Sequence, residues 1–319
     1  MILVTGGTGF VGRHLVDALV CRGDVVRVLS RSASPAPSQA GVEIVAGDLA
    51  DAASLSRAAR GVRAVVHLAA RVGTAEPGPA EVYDFNAGAT AAIVAAARDA
   101  GVARFVHVSS GGVYGDGSTP VPHKETDTPQ PGNAYERSKL AAEQAVIQTL
   151  AGSDVSWTIL RPAGIFGPGR PATSAFLEEI RRRRFWLHGN PNVIVHPTHV
   201  SDVVQACLRV LDVPRLETRI VNIAGERALR FQEFVSMAAE LLNVRPRQII
   251  IPAWIGVPIS RTVAFGARAT GLSLPAVIER AGRPWINRAL DTSLARQWLG
   301  FTPVSLRPAL SETVHIMPL

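Results

Sequence analysis

Short apolar runs alternate with helical patterns over the first half of the chain. Runs rich in β-branched residues at 2–5, 25–30, 42–46, 64–68, 104–109 and 156–160 predict strands. Each is nearly continuous in its hydrophobicity, as strands covered on both faces must be. Between them apolar residues recur at helical spacing, and the longest such segments, about 81–100 and 134–150, predict helices. Strand and helix alternating in this way predict an α/β fold built on a doubly wound parallel sheet. After about residue 160 the alternation thins, and the remainder reads as a smaller, mainly helical, appended substrate subdomain. The expected division is 1–160 for the sheet domain and 161–319 for the subdomain, with the segment about 193–225 packing back on the sheet.

The turn after the first strand carries the first chemical signal. Ile2, Leu3 and Val4 run into Thr5-Gly6-Gly7-Thr8-Gly9-Phe10-Val11-Gly12 and then a helical pattern through Val20. Strand, glycine turn and helix together form the setting that a dinucleotide fingerprint requires. Gly6 permits the tight turn, Gly9 lets backbone approach a pyrophosphate, and Gly12 lets the helix press on the strand. Free N–H groups and partial positive charge at the helix start would then face the phosphates.

The second signal lies in AYERSKLAAEQAV. Only two of the 33 basic residues are lysines, and Lys139 stands four positions after Tyr135. Arginine and lysine are not interchangeable, so a lysine kept here points to work that a guanidinium does not do. Residues i and i+4 share a helix face. A cation beside a phenol favours the phenolate and is expected to lower the tyrosine pKa, which is how a tyrosine becomes a general acid or base.

With these motifs in place, the chain resembles the extended short-chain dehydrogenase/reductase family, of the NAD-dependent epimerase/dehydratase and hydroxysteroid dehydrogenase type. The resemblance runs over most of the chain and implies a Rossmann-type NAD(P)-binding domain. It implies adenine contacts at Asp48-Leu49, and passage of His67-Leu68-Ala69-Ala70 beneath the ribose and nicotinamide. It makes Asn86 a scaffold asparagine and Ser110, in Val108-Ser109-Ser110-Gly111-Gly112, the catalytic hydroxyl. Arg161-Pro162 and Gly167-Pro168-Gly169 resemble the family's entry into its substrate half, with Pro162 near the cofactor, and Asp202 falls in its His-Val-x-Asp-Val helix start. The catalytic set implied is Ser110, Tyr135 and Lys139. Gly6, Gly9, Phe10, Val11, Gly12, Arg31, Asp48, Leu49, Leu68, Ala69, Ala70, Tyr135, Lys139 and Pro162 are expected around the cofactor.

The second strand ends Val28-Leu29-Ser30-Arg31, with no carboxylate for a ribose 2′-hydroxyl and an arginine able to meet a 2′-phosphate. NADP(H) is therefore expected to be favoured, with NAD(H) as the alternative. Family members that dehydrate nucleotide sugars place an Asp-Glu pair where this chain has Gly111-Gly112. Nucleotide-sugar enzymes also tend to carry an arginine before the His-Val-x-Asp motif, and that position is Val195. Arg280, Arg283 and Arg288 could rebuild such a clamp. The favoured activity is hydride transfer at a secondary alcohol or ketone of a small, fairly apolar substrate. A nucleotide-sugar epimerase with tightly bound NAD is the alternative, and a catalytically idle NADP-sensing regulatory protein the reading from another class.

Charge and composition narrow the partners. The net charge is +7, yet no nucleic-acid motif accompanies it. The dense run Arg181 to Arg184 reads as a solvated helix end or as a phosphate contact. Cys21 and Cys207 sit in helical patterns, which indicates no disulfide framework and a reducing compartment. A strand starting at residue 2 leaves no room for a signal peptide, so a cytoplasmic protein is expected. The stretch 249–278 is apolar but broken by prolines and arginines. It reads as a lid over the substrate pocket, or as a segment that touches a membrane surface without spanning it. The two long helices are expected to form a homodimer. His67 is expected to pack, Tyr114 to pack or touch substrate, and Trp186, Trp254 and Trp285 to fill core or wall an apolar pocket. His196 and His199 lack metal-ligand company, so no zinc site is expected.

Overall fold

The computed structural model describes residues 1–31, 40–72, 78–115, 121–183, 185, 187–188, 192–213, 218–245, 250–251 and 287–316. Seven strands, β1 Ile2–Thr5, β2 Val26–Ser30, β3 Val42–Ala46, β4 Ala64–His67, β5 Arg104–Val108, β6 Ser156–Pro162 and Arg219–Ile223, form one sheet. From one edge to the other the order is Arg219–Ile223, β6, β5, β4, β1, β2, β3, every neighbouring pair parallel. The order runs outward from β1 in both directions, so the carboxyl ends of β1 and β4 flank the point where the winding reverses. Open α/β sheets bind ligands there.

The central strands are buried along their whole length, β1 and β4 at all four positions. Helices cover both faces. On one side α1 (Phe10–Cys21) and α6 (Val200–Asp212) close a core through Leu15, Leu19, Val203 and Val210. On the other, α2 (Ala52–Ala59), α3 (Pro79–Asp99) and α4 (Ala134–Leu150) close a second core around Leu55, Ile93, Phe105 and Val146. Ala89, Ala96 and Ala97 are small side chains on the inner face of α3, which lies close along α4.

The strand Arg219–Ile223 joins the main sheet beside β6, and α6 packs against the same core. A third core around Phe166, Leu177, Phe185, Phe234 and Leu310 gathers α5 (Pro171–Arg181), α7 (Phe231–Leu241) and the helix Leu306–His315. The stretch 249–278, expected as a lid or surface segment, lies outside the described residues except for Ile250–Ile251, which pair as a short strand with Leu187–His188. Among the described residues no helix is long and apolar enough to cross a membrane.

Candidate active site

The glycine turn is built by close approach. Gly6 has φ +72°, and a Cβ there would lie 2.6 Å from the Ala69 nitrogen. The backbone just past β4 is thus pressed against the turn, which leaves no room for a side chain at residue 6. A Cβ on Gly12 would lie 2.0 Å from the Gly6 carbonyl, so only glycine lets α1 sit this near β1. Helix α1 starts at Phe10 with Gly9 as its cap, has no side chain capping its first N–H groups and has no acid in its first turn. That leaves uncompensated donors and partial positive charge at the sheet's winding point, a fit for a dinucleotide pyrophosphate. Phe10 stacks edge-on against His14 at 5.7 Å, and Val11 packs against the sheet core. Arg31 is exposed immediately past β2; Asp48 and Leu49 follow β3, with Leu49 buried.

Across the sheet's carboxyl edge, β5 is followed by Ser109-Ser110 and a single 3₁₀ turn, Gly111–Tyr114. The Ser110 hydroxyl accepts from Gly112 N–H at 3.1 Å and also bonds the Tyr135 phenol. Helix α4 presents Tyr135 in its first turn because Asn133 caps it, accepting from Glu136 N–H at 3.0 Å. Lys139, one turn on, is buried and donates from Nζ to the Val108 carbonyl at 2.8 Å. Asn86 ties this helix to the end of β4, bonding both backbone groups of Arg71 and donating to Ser138. Ser110, Tyr135 and Lys139 thus gather past the carboxyl end of β5, on the same sheet edge as the glycine turn, and Pro162 at the end of β6 backs the 3₁₀ turn.

The electrostatics differ from the expectation at Tyr135. Burial raises the phenol pKa above its ordinary value; the Ser110 hydrogen bond and the charge of Arg170 only partly oppose this. Lys139 is not a cause of the shift. Its ammonium is drawn to the carbonyl of β5, and burial lowers its own pKa to about 8, against the opposing charge of Glu143. Without cofactor the phenol is therefore held neutral and ready to donate.

Linkage gives the lysine a measurable signature. Between pH 8 and 10.5 the unfolded chain holds the Lys139 proton and the folded chain does not, so stability rises with pH across that window. Chemical denaturation of cofactor-free protein is expected to show a rise on the order of 3 kcal/mol that Lys139→Met lacks, the difference between the two isolating this group.

Behind the lysine lies a buried network with little sequence signal. Glu143, one turn beyond Lys139, accepts two bonds from Arg161, at 3.0 and 2.6 Å, and one from Ser109 at 2.5 Å. Arg161 also donates to Tyr114, which donates in turn to Asn222. Tyr114 is 2% exposed and stacks on His123 at 4.9 Å, so it packs and does not reach substrate. Burial opposes the charge of Arg161, but the Glu143 carboxylate holds it firmly protonated. His67 bonds Thr5 and Thr90 and stacks on His107; burial lowers its pKa to about 3, and the charge of Lys139 adds to that. It is a packed neutral ring.

Two further charged residues escaped the sequence reading. Glu136 is buried, accepts from Gly132 N–H at 2.8 Å and pairs with Arg288. The pattern Asn133-x-x-Glu136 resembles a capping box and was the available signal. Arg170, before α5, shares its electrostatic environment with Tyr135. Of the basic run, Arg181 and Arg182 pair with Glu178. His196 bonds the Gly225 carbonyl, His199 caps α6, and among the described residues no metal-ligand cluster exists. Trp186, Trp254, Trp285, Arg280 and Arg283 lie outside the described residues.

A parallel sheet with a glycine turn at its winding point and a Ser-Tyr-Lys set on the same carboxyl edge has the frame of the Rossmann class. The family profile described as "NAD dependent epimerase/dehydratase family" matches residues 2–224. Sterol demethylase protein B of Methylococcus capsulatus is 32% identical, over 98% of this chain and 96% of its own length. A 4-hydroxy-2-methyl-3-oxo-4-farnesyl-3,4-dihydroquinoline-1-oxide ketoreductase of Stigmatella aurantiaca is 31% identical over 93% of this chain and 90% of its own. Among solved structures, MoeE5 in complex with UDP-glucuronic acid and NAD matches with a TM-score of 0.79 at 30% identity, covering 99% of this chain and 98% of that one. The chain belongs to the NAD-dependent epimerase/dehydratase family, within the extended short-chain dehydrogenase/reductases.

Proposed function

We propose that the protein is an NAD(P)-dependent oxidoreductase acting on a secondary alcohol or ketone of a small, fairly apolar substrate, with Tyr135 as general acid/base. The observation that carries this reading is that Tyr135 faces Ser110 past the carboxyl end of β5, one helical turn from the buried Lys139. A bound nicotinamide would supply or accept the hydride. The glycine turn and the start of α1 hold the pyrophosphate, while Asp48, Leu49, Leu68, Ala69 and Ala70 border the rest of the cofactor. Tyr135 gives its proton to the substrate oxygen in reduction and takes it back in oxidation. Ser110 donates to the same oxygen and stabilises its developing charge. Lys139, its pKa lowered to about 8 yet mostly protonated near neutral pH, would hold the nicotinamide ribose.

A nucleotide-sugar epimerase is the second reading, favoured by the whole-chain likeness to a protein seen with UDP-glucuronic acid. Against it, Val195 offers no charge before His196, and Arg288, whose N–H bonds the Ile194 carbonyl, commits its guanidinium to Glu136. Elimination chemistry has no room at Gly111-Gly112: a Cβ on Gly111 would meet Leu290 at 2.9 Å, and one on Gly112 would meet Glu136 at 3.1 Å. A net change in reduced-nicotinamide absorbance with a turned-over ketone supports the first reading. Tightly bound cofactor with no net change supports the second. We further propose a cytoplasmic homodimer, in which α3 and α4 bury the exposed Tyr83 and Ile147.

For the cofactor we propose NADP(H), through Arg31 and the missing acid after β2. Calorimetry is expected to give a lower Kd for NADP+ than for NAD+, with Arg31→Ala losing about tenfold for NADP+ alone. A tighter complex with NAD+ refutes the preference.

A further inference from the structure

Residues 287–291 form a strap that lies on the 3₁₀ turn after Ser110 and is held along its length. Asn287 Oδ1 accepts the Ile194 N–H at 2.8 Å, and the Arg288 N–H donates to the Ile194 carbonyl at 2.8 Å. The His123 N–H donates to the Ala289 carbonyl, and the Asp291 N–H to the His123 carbonyl, each at 2.8 Å. Side chains 288 and 290 therefore have set places. Leu290 covers the turn, where a Cβ on Gly111 would meet it at 2.9 Å. The Arg288 guanidinium donates to Glu136 Oε1. That oxygen borders the turn as well: a Cβ on Gly112 would lie 3.3 Å from it and 3.2 Å from the Ser110 hydroxyl oxygen. The other oxygen of the buried carboxylate, Oε2, accepts from the Gly132 N–H at 2.8 Å, which fixes Glu136 in this position. The Arg288 side chain is 42% exposed, so solutes can reach it. A cation on a fixed strap beside the catalytic turn would anchor an acidic substrate, and here a carboxylate cancels it.

We infer that Glu136 sets the charge class of the substrate: by neutralising Arg288 at the edge of the catalytic turn, it makes the site select an uncharged carbonyl or carbinol compound over an anionic one. This rests on the oxidoreductase reading and narrows its substrate class to neutral molecules. An anion entering an apolar site loses its hydration, and only an unpaired counter-charge offsets that loss. With Arg288 satisfied by Glu136, the strap offers no such charge, while Leu290 and the buried Val113 beside it favour apolar surface. Selectivity is a difference between two affinities, so a residue that withholds attraction from one ligand class favours the other.

The test releases the guanidinium. Cyclohexanecarboxylate and cyclohexanecarboxamide, one ring with and without a charge, are titrated by calorimetry into cofactor-loaded wild type, Glu136→Gln, Arg288→Gln and the double variant. Glutamine keeps the shape of residue 136 and removes its charge. The wild type is expected to bind the amide at least as well as the acid, Glu136→Gln to favour the acid about tenfold, and the double variant to return to the wild-type ratio. An acid preference in the wild type or an unchanged ratio in Glu136→Gln overturns the inference. So does a gain that persists in the double variant, because removal of negative charge alone would then suffice. Should Glu136→Gln fold poorly, Arg288→Gln at its half-exposed position still decides: it strands the carboxylate, so the acid must weaken several-fold against the amide, and an unchanged ratio refutes the role of the pair. Binding is read without turnover, so the two claims fail separately. A neutral ketone left unreduced by protein that shows the expected ratios counts against the oxidoreductase assignment alone, and one reduced by protein that prefers the acid counts against the selection alone.

Discussion

Replacing Tyr135 with phenylalanine is expected to lower kcat by about a hundredfold or more while cofactor affinity changes little. The substitution removes one oxygen from a helix whose cap, Asn133, and whose tie to β4, through Asn86 and Ser138, do not involve the phenol. Folding should therefore survive. What is lost is the proton that burial keeps on the phenol and that Ser110 orients. Steady-state kinetics with a turned-over ketone, beside calorimetric titration of the cofactor, measures both halves. Near-normal turnover would move the acid/base role elsewhere.

The second large effect concerns stability. Arg161→Met is expected to cost about 3–5 kcal/mol, because it leaves the Glu143 carboxylate buried without its partner. Arg161 and Glu143 are 2% and 1% exposed, so solvent cannot compensate. The same change strips a donor from Tyr114 and removes the guanidinium that lies 4.9 Å from its ring centroid. Chemical denaturation should show the full loss in Arg161→Met and most of it recovered in the double variant Arg161→Met/Glu143→Leu, where no charge remains stranded. Equal losses in single and double variants would mean that packing, and not the ion pair, governs the site. The pair matters to function through its neighbours. Ser109 binds Glu143 and Val108 binds Lys139, so the end of β5 is stitched to α4 immediately before the catalytic turn.

The sheet was legible because its strands are covered on both faces, which makes hydrophobic runs continuous and easy to bound; β1 and β3 have the expected limits, and α4 spans the expected 134–150. The glycine turn was legible for a related reason: local geometry dictates residue type there, and Gly12 tolerates nothing larger. Helical spacing correctly put Tyr135 and Lys139 on one face. It did not reveal where the ammonium would go, since that depends on a carbonyl 31 residues away in β5. The phenol's raised pKa follows from burial, a property of packing that no spacing encodes. The Glu143–Arg161 pair was hidden in the same way, each residue looking ordinary in its own helix or strand. Arg170 was passed over because a lone arginine after a Gly-Pro-Gly turn has no pattern to distinguish it.

The central claim is that the Tyr135 phenol is neutral in the free protein and becomes a usable base when the oxidised nicotinamide lies beside it. Its most direct test is an ultraviolet pH titration of the phenol, taken as wild type minus Tyr135→Phe, with and without the oxidised cofactor. The phenol should ionise above its ordinary value of about 10 in the free protein and clearly below that when the cofactor is bound. An ionisation that is the same in both states would contradict the account.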